Sequence, residues 1–203
     1  YSINIESTSG NNFTIINNFI GGKAAECGGS AWTMTGSNGC KFSCIRVSAG
    51  NTLPSNLHGN TIKNIDFTTT SPGTTGQPIA SGIHIVRGDF NIGTESGNTI
   101  GSLSSNSSFK VTGGLEQGYP WFIAIMAYPD AYPGSISICN NIIGGLTGLC
   151  SSVTSRAVVK AIWTYGSSLN NVFTISGNTI GGIGGNRKIS VGDENSTTPA
   201  HEV

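Results

Sequence analysis

An all-β solenoid of about five stacked coils is the fold this sequence predicts, on three observations. The first is a repeat. Asn18, Asn60, Asn98, Asn141 and Asn178 recur at steps of 42, 38, 43 and 37, and Ile20, Ile62, Ile100, Ile143 and Ile180 follow two residues after them. The second is composition: 30 Gly, 26 Ser, 21 Thr and 20 Asn make nearly half of the 203 residues small or polar turn-formers. The third is 24 Ile against 7 Leu, an excess of β-branched side chains that suits a pleated surface. No stretch carries apolar residues at i, i+3, i+4 and i+7 without Gly or Pro intervening, so no helix is expected.

Each repeat opens on a strand block, 15 to 18 residues before its anchor Asn: Ile3-Asn4-Ile5, Ile45-Arg46-Val47, Ile83-His84-Ile85, Ile123-Ala124-Ile125 and Ile162-Trp163-Thr164. Apolar–variable–apolar is the period-two signature of a strand with one face buried. A second apolar position lies three residues before the anchor, at Ile15, Leu57, Ile138 and Ile175, with Ile92 taking that place in the third copy through a short insertion. Five residues after the anchor come Lys23, Ile65, Leu103, Leu146 and Ile183. Two or three short strands per repeat leave the stretches 22–43, 68–81, 104–120 and 147–158 as long loops. No copy buries a core alone, but stacked copies bury each Ile row against the next, and equivalent backbones then pair in parallel at about 4.8 Å. Asn tolerates the left-handed conformation of a sharp corner, and stacked amides can hydrogen-bond along the column.

The Asn-Ile turns and their strand blocks resemble the right-handed parallel β-helix of the pectate-lyase-like superfamily. More narrowly, they are similar to the secreted Asn-Asn-Thr-Ile repeat proteins of bacterial cell surfaces. The resemblance implies a right-handed parallel β-helix with long loops over residues 1–192, followed by a polar C-terminal tail at 193–203. It also implies an extracellular or cell-surface location. Activity is left open, because that fold hosts lyases, hydrolases, phage tailspikes, adhesins and passive stalks.

Charge narrows the partners. Ten basic and ten acidic residues cancel, and charged residues make up 10% of the chain, against about 25% in an average soluble protein. Without a Lys/Arg run, a nucleic-acid partner is not expected. No apolar stretch nears the roughly 20 residues of a membrane span. Five cysteines, at 27, 40, 44, 139 and 150, follow no metal-ligand spacing, so neither a metal nor another cofactor is expected. In an exported chain, local disulfides Cys139–Cys150 and Cys27 with Cys40 or Cys44 are one expectation, and buried free thiols the other.

Glycosidases and lyases need clustered carboxylates or a base beside a cation site, and the acidic residues here are scattered. The best grouping is Asp66, Asp89, Glu95 and Asp130. No catalytic residue is assigned, and the reading leans away from an enzyme. Two candidate surfaces remain for sugars. The outward column Asn4, Arg46, His84, Ala124 and Trp163, with Arg87 nearby, offers groups for an anionic sugar. The aromatics Tyr119, Trp121, Phe122, Tyr128, Tyr132, Trp163 and Tyr165 offer stacking faces. His58 and His201 show no partner in the sequence.

The chain opens without an initiator Met, a signal peptide or a capping helix, with Ile3-Asn4-Ile5 already in register. An open edge invites strand pairing, so stacking is expected through Tyr1, Ile3 and Ile5 at one end and Ile180, Ile183, Ile189 and Val191 at the other. The partner is another copy, head to tail, or the remainder of a longer solenoid. The leading expectation is an extracellular structural solenoid, either a stalk or adhesin segment or a filament subunit. The alternative is a carbohydrate-active β-helix: a lyase or hydrolase, or a tailspike-like binder of surface glycans.

Overall fold

The structure, a computed structural model, describes residues 1–36, 39–73, 77–105, 107–113, 121–129, 134–150, 157–166, 171–181 and 189–193. Coil 1 contains β1 (Ile3–Glu6), β2 (Thr14–Ile16), β3 (Phe19–Ile20) and β4 (Trp32–Gly36). Coil 2 contains β5 (Phe42–Ser48), β6 (Ser55–His58), β7 (Thr61–Ile62) and β8 (Ile65–Thr69). Coil 3 contains β9 (Ala80–Arg87), β10 (Phe90–Ile92), β11 (Thr99–Gly101) and β12 (Phe109–Gly113). Coil 4 contains β13 (Trp121–Ala127), β14 (Ser135–Cys139), β15 (Ile142–Gly144) and β16 (Leu146–Cys150). Coil 5 contains β17 (Val158–Thr164), β18 (Val172–Ser176), β19 (Thr179–Ile180) and β20 (Ile189–Asp193). β20 takes in the first residue of the expected tail, and 194–203 lie outside the described residues.

Every coil gives one strand to each of four five-stranded sheets, and the first of them runs β1-β5-β9-β13-β17. The chain is therefore a parallel β-solenoid with one coil per repeat. Its only helical turn among the described residues is Ala25–Cys27. No helix among them is long and apolar enough to cross a membrane.

The second apolar column is Ile15, Leu57, Ile92, Ile138 and Ile175, with Ile92 in the place the insertion argument gives it. The column after the anchor is Ile20, Ile62, Ile100, Ile143 and Ile180. Its three inner members are fully buried, and each such side chain contributes roughly 1.5–3 kcal/mol relative to exposure. Two registers differ from expectation. In the first block the fourth member is Ile125-Met126-Ala127, two residues beyond the expected triplet; both triplets satisfy period two, so alternation alone does not choose. The expected loops also hold a fourth strand. Trp32, Ile65, Phe109, Leu146 and Ile189 form its opening column, where a fixed offset from the anchor picks Lys23, Leu103 and Ile183. Insertions before β4, β12 and β20 shift that strand along the chain without disturbing its stacking.

The anchor asparagines make a buried amide column. Asn60 donates its backbone N–H to Asn98 Oδ1 at 3.1 Å and its Nδ2 to the same oxygen at 2.9 Å. Asn98 does the same to Asn141 at 3.0 and 2.9 Å. The other Nδ2 protons reach backbone carbonyls of the preceding coil: Asn60 to Ile15 at 2.9 Å and Asn98 to Leu57 at 3.0 Å. A fully buried amide is thus satisfied on both sides. The left-handed corner falls on the residue before the anchor, Asn17 (φ 55°), Gly59 (φ 67°), Asn140 (φ 59°) or Gly177 (φ 64°), residue types that tolerate positive φ.

Candidate functional site

The outer face of the first sheet gathers most of the candidate sugar-binding residues. Register places Asn4, Arg46, His84, Met126 and Trp163 side by side. Ala124 does not share this column; it packs in the core. Beside Arg46 and His84 lies a cleft of ≈ 280 Å³ walled also by Tyr1, Lys41, Gln77 and Tyr128, near the lower end of small-ligand sites at roughly 300 Å³. Arg46 Nη1 meets Glu6 Oε1 at 2.8 Å, and its guanidinium lies 5.5 Å from the centre of the Tyr1 ring. Lys41 Nζ donates to Gln77 Oε1 at 2.9 Å. Arg87 stands opposite Ser48, past an irregularity at Val47/Ser48, and is not a wall of this cleft.

Burial first, and the neighbouring Arg46 charge second, lower the His84 pKa from its usual value to about 4. At neutral pH the ring is uncharged and a weak base, suited to donating or accepting a hydrogen bond. A depressed folded-state value stabilises the fold above the unfolded pKa, about 6.5. That contribution is lost as pH falls from there through about 4. His84→Gln is therefore expected to be less acid-sensitive than the parent, read as a smaller drop in urea midpoint between pH 7 and pH 4.5. An unchanged drop would place His84 in water.

The strip continues into an aromatic cluster. Trp121 and Trp163 lie 6.1 Å apart between ring centres, Tyr128 lies 5.7 Å from Trp163, and Tyr128 stacks on Tyr165 at 4.8 Å and 11°. Lys160 Nζ sits 4.5 Å from the Trp121 ring centre and 5.0 Å from that of Trp163, close enough for cation–π attraction to both. Tyr128 belongs to both groups, so cleft and cluster form one surface from coil 1 to coil 5. Phe122 instead packs inside against Phe109 at 4.6 Å, and Tyr119 and Tyr132 lie outside the described residues.

Among the described residues the carboxylates do not converge. Asp66 faces Lys110 at 3.5 Å, Asp89 Oδ1 accepts the Ser135 N–H at 2.8 Å, and Glu95 faces His58 at 3.2 Å. Asp130 and His201 lie outside the described residues. His58 does have partners, for Ser96 Oγ also approaches its Nδ1 at 3.4 Å. Both partners sit one coil further on, so a search at the repeat spacing finds them where a local one does not. Lys41–Gln77 is a pair of the same kind, separated by 36 residues. Among the described residues, no three His, Cys, Asp or Glu side chains come together as a metal site requires.

All five cysteines are free thiols, so the expected Cys139–Cys150 and Cys27–Cys40 or Cys27–Cys44 bridges are not formed. Cys139 ends β14 and Cys150 ends β16, strands of different sheets. Cys27 Sγ instead contacts the Thr61 carbonyl of coil 2 at 3.4 Å. Burial raises the thiol pKa of Cys27 and of Cys44, which keeps them protonated and unreactive.

The expected stacking residues fall on edge strands. Ile3 and Ile5 lie half-buried on β1 beside the exposed Tyr1, while Ile180 is on β19, and Ile189 and Val191 on β20. Ile183 lies outside the described residues. No family model matches this chain, and neither a curated protein nor a solved structure is significantly similar to it.

Proposed function

We propose that the chain is a structural segment of an extracellular solenoid, a rigid rod of the stalk or adhesin kind. The observation that carries this reading is the continuity of the Asn column and both Ile columns through all five coils. Among the described residues, neighbouring coils repeat one strand-to-strand interface in all four sheets. The low charge and the scattered carboxylates also favour a scaffold. The extracellular part of this reading is supported by the likeness of its Asn-Ile turns to secreted Asn-Asn-Thr-Ile repeats, within the wider pectate-lyase-like architecture. Pulling single molecules by their two ends tests the rod. Coils are expected to peel one at a time, each step freeing about 40 residues, roughly 140 Å of extended chain. Featureless extension at low force would reject it.

A second reading rests on the strip joining the cleft to the aromatic cluster: a surface-glycan binder that uses Arg46, His84, Trp121 and Trp163. Flat rings stack on sugar faces, and polar walls orient hydroxyls or an acidic substituent. Under this reading Trp163→Ala weakens polysaccharide retention in affinity electrophoresis by about tenfold, the equivalent of about 1.4 kcal/mol. Equal mobility of parent and variant on neutral and acidic polysaccharides removes it. Release of new sugar ends by the parent chain would instead favour the lyase or hydrolase alternative.

A further inference from the structure

Coil 3 departs from the repeat at one corner. Asn98 follows Ile92 by six residues, where Asn60 follows Leu57, and Asn141 follows Ile138, by three. The extra chain carries Glu95 and Ser96 back over coil 2, and both meet His58. Glu95 Oε2 lies 3.2 Å from His58 Nε2, and Ser96 Oγ lies 3.4 Å from His58 Nδ1. Backbone bonds fix two of the three residues. Gly59 donates its N–H to the Ser96 carbonyl at 3.0 Å, and Asn17 donates to the His58 carbonyl at 3.2 Å. Gly59 also leaves room for the serine, since a Cβ there would come within 3.1 Å of Ser96 Oγ. Ser96 is exposed, while the His58 side chain is 14% exposed.

We propose that Ser96, His58 and Glu95 form an acyl-transfer triad that hydrolyses esters of small carboxylic acids. This activity is separate from the rod and from the glycan strip, and rests on neither. The Glu95 carboxylate accepts the Nε2–H, which fixes the imidazole tautomer and turns the Nδ1 lone pair towards Ser96. His58 takes the Ser96 hydroxyl proton as Oγ bonds to the ester carbonyl carbon. The same proton passes to the leaving alkoxide as the bond to the alcohol breaks, and acyl-Ser96 remains. Water, giving its proton to the imidazole, adds to that carbonyl. The bond to Oγ then breaks, Ser96 regains a proton from His58 and the carboxylic acid departs. A Ser–His contact of this kind is often long without substrate and tightens around it. The N–H groups of Ser96 and Gly97 have no acceptor among the described residues. A nucleophile and its successor supply such groups to the oxyanion in acyl-transfer sites. Thr94, Glu95 and Ser96 are all exposed, so the corner offers little apolar surface to a long acyl chain and suits a small one.

A fluorophosphonate, from which a base-activated serine displaces fluoride, tests this on the full chain by intact mass and peptide mapping. The parent is expected to gain one phosphonyl group, at Ser96, and to turn over p-nitrophenyl acetate. Ser96→Ala should lose both. His58→Gln should slow labelling about 100-fold or more, the usual cost of losing a general base. Glu95→Gln keeps the shape but not the charge, and should fall between the parent and His58→Gln. Thermal melts by circular dichroism separate lost chemistry from lost fold, and all three side chains lie outside the core. A parent that takes no label, or takes it at another serine, overturns the triad. Labelling that is equally fast in folded His58→Gln overturns it too. Labelling at Ser96 without turnover of the ester overturns the hydrolysis.

Discussion

Ile100→Asp is expected to unfold the chain. Ile100 is fully buried between Ile62 and Ile143, and it also sits under β9, where a Cβ added to Gly82 would lie 3.1 Å from Ile100 Cγ2. The substitution loses roughly 1.5–3 kcal/mol of apolar burial and adds several kcal/mol for an unpaired buried charge. Total stability of a domain is about 5–15 kcal/mol, so little or none survives. Loss of the cooperative far-UV transition at neutral pH is the readout. Ile180→Asp, in the same column but half exposed, should shift the melt only slightly. A matching loss in both variants, or in neither, would contradict the stacked-column arrangement.

The second large effect falls on the amide column. Asn98→Ala orphans the Asn60 N–H and Nδ2 and the Leu57 carbonyl, all bonded to the Asn98 side chain. Each unsatisfied buried group costs about 1–3 kcal/mol, so a loss on the order of 3–5 kcal/mol is expected, measured by urea denaturation. Asn98→Asp is more informative. It retains the acceptor for Asn60 but sets a buried carboxylate against Asn141 Oδ1, which raises its folded pKa above the ordinary value of about 3.9. Stability is then present below that unfolded value and lost as pH rises through the raised folded one. This variant alone should be more stable at pH 3.5 than at pH 7, relative to the parent. The parent's own pH profile reproduced in the variant would place Asn98 outside the buried column.

The anchors were legible in the sequence because the interior fixes them strictly: an amide must meet an amide, and a branched apolar side chain another, at every coil. The same constraint made the insertion before Asn98 readable, since only Ile92 continues the column of Leu57 and Ile138. The fourth strand was not legible. Its first residue follows the anchor by 14, 5, 11, 5 and 11 residues from Trp32 to Ile189, because a corner on the surface accepts extra chain at little cost. Of the candidate site, Arg46 beside His84 followed from strand register, and Trp163 from its place in the same block. Glu6 on Arg46, Lys41 on Gln77 and Lys160 over two indoles depend on how far long side chains reach, which alternation does not encode. The cysteine pairing failed for a related reason: nearness along the chain says little when consecutive strands belong to different sheets.

The one-way amide column also bears on how such a chain is made. In a polypeptide delivered N-terminus first, each layer stacked on the one before it presents its anchor N–H and Nδ2 before the next layer arrives. Each later turn then brings its own oxygen to waiting donors, so the growing tip is always chemically ready for the next layer. Folding becomes a one-dimensional polymerisation fed by a single thread. Every layer that locks also opposes unwinding of the layers before it.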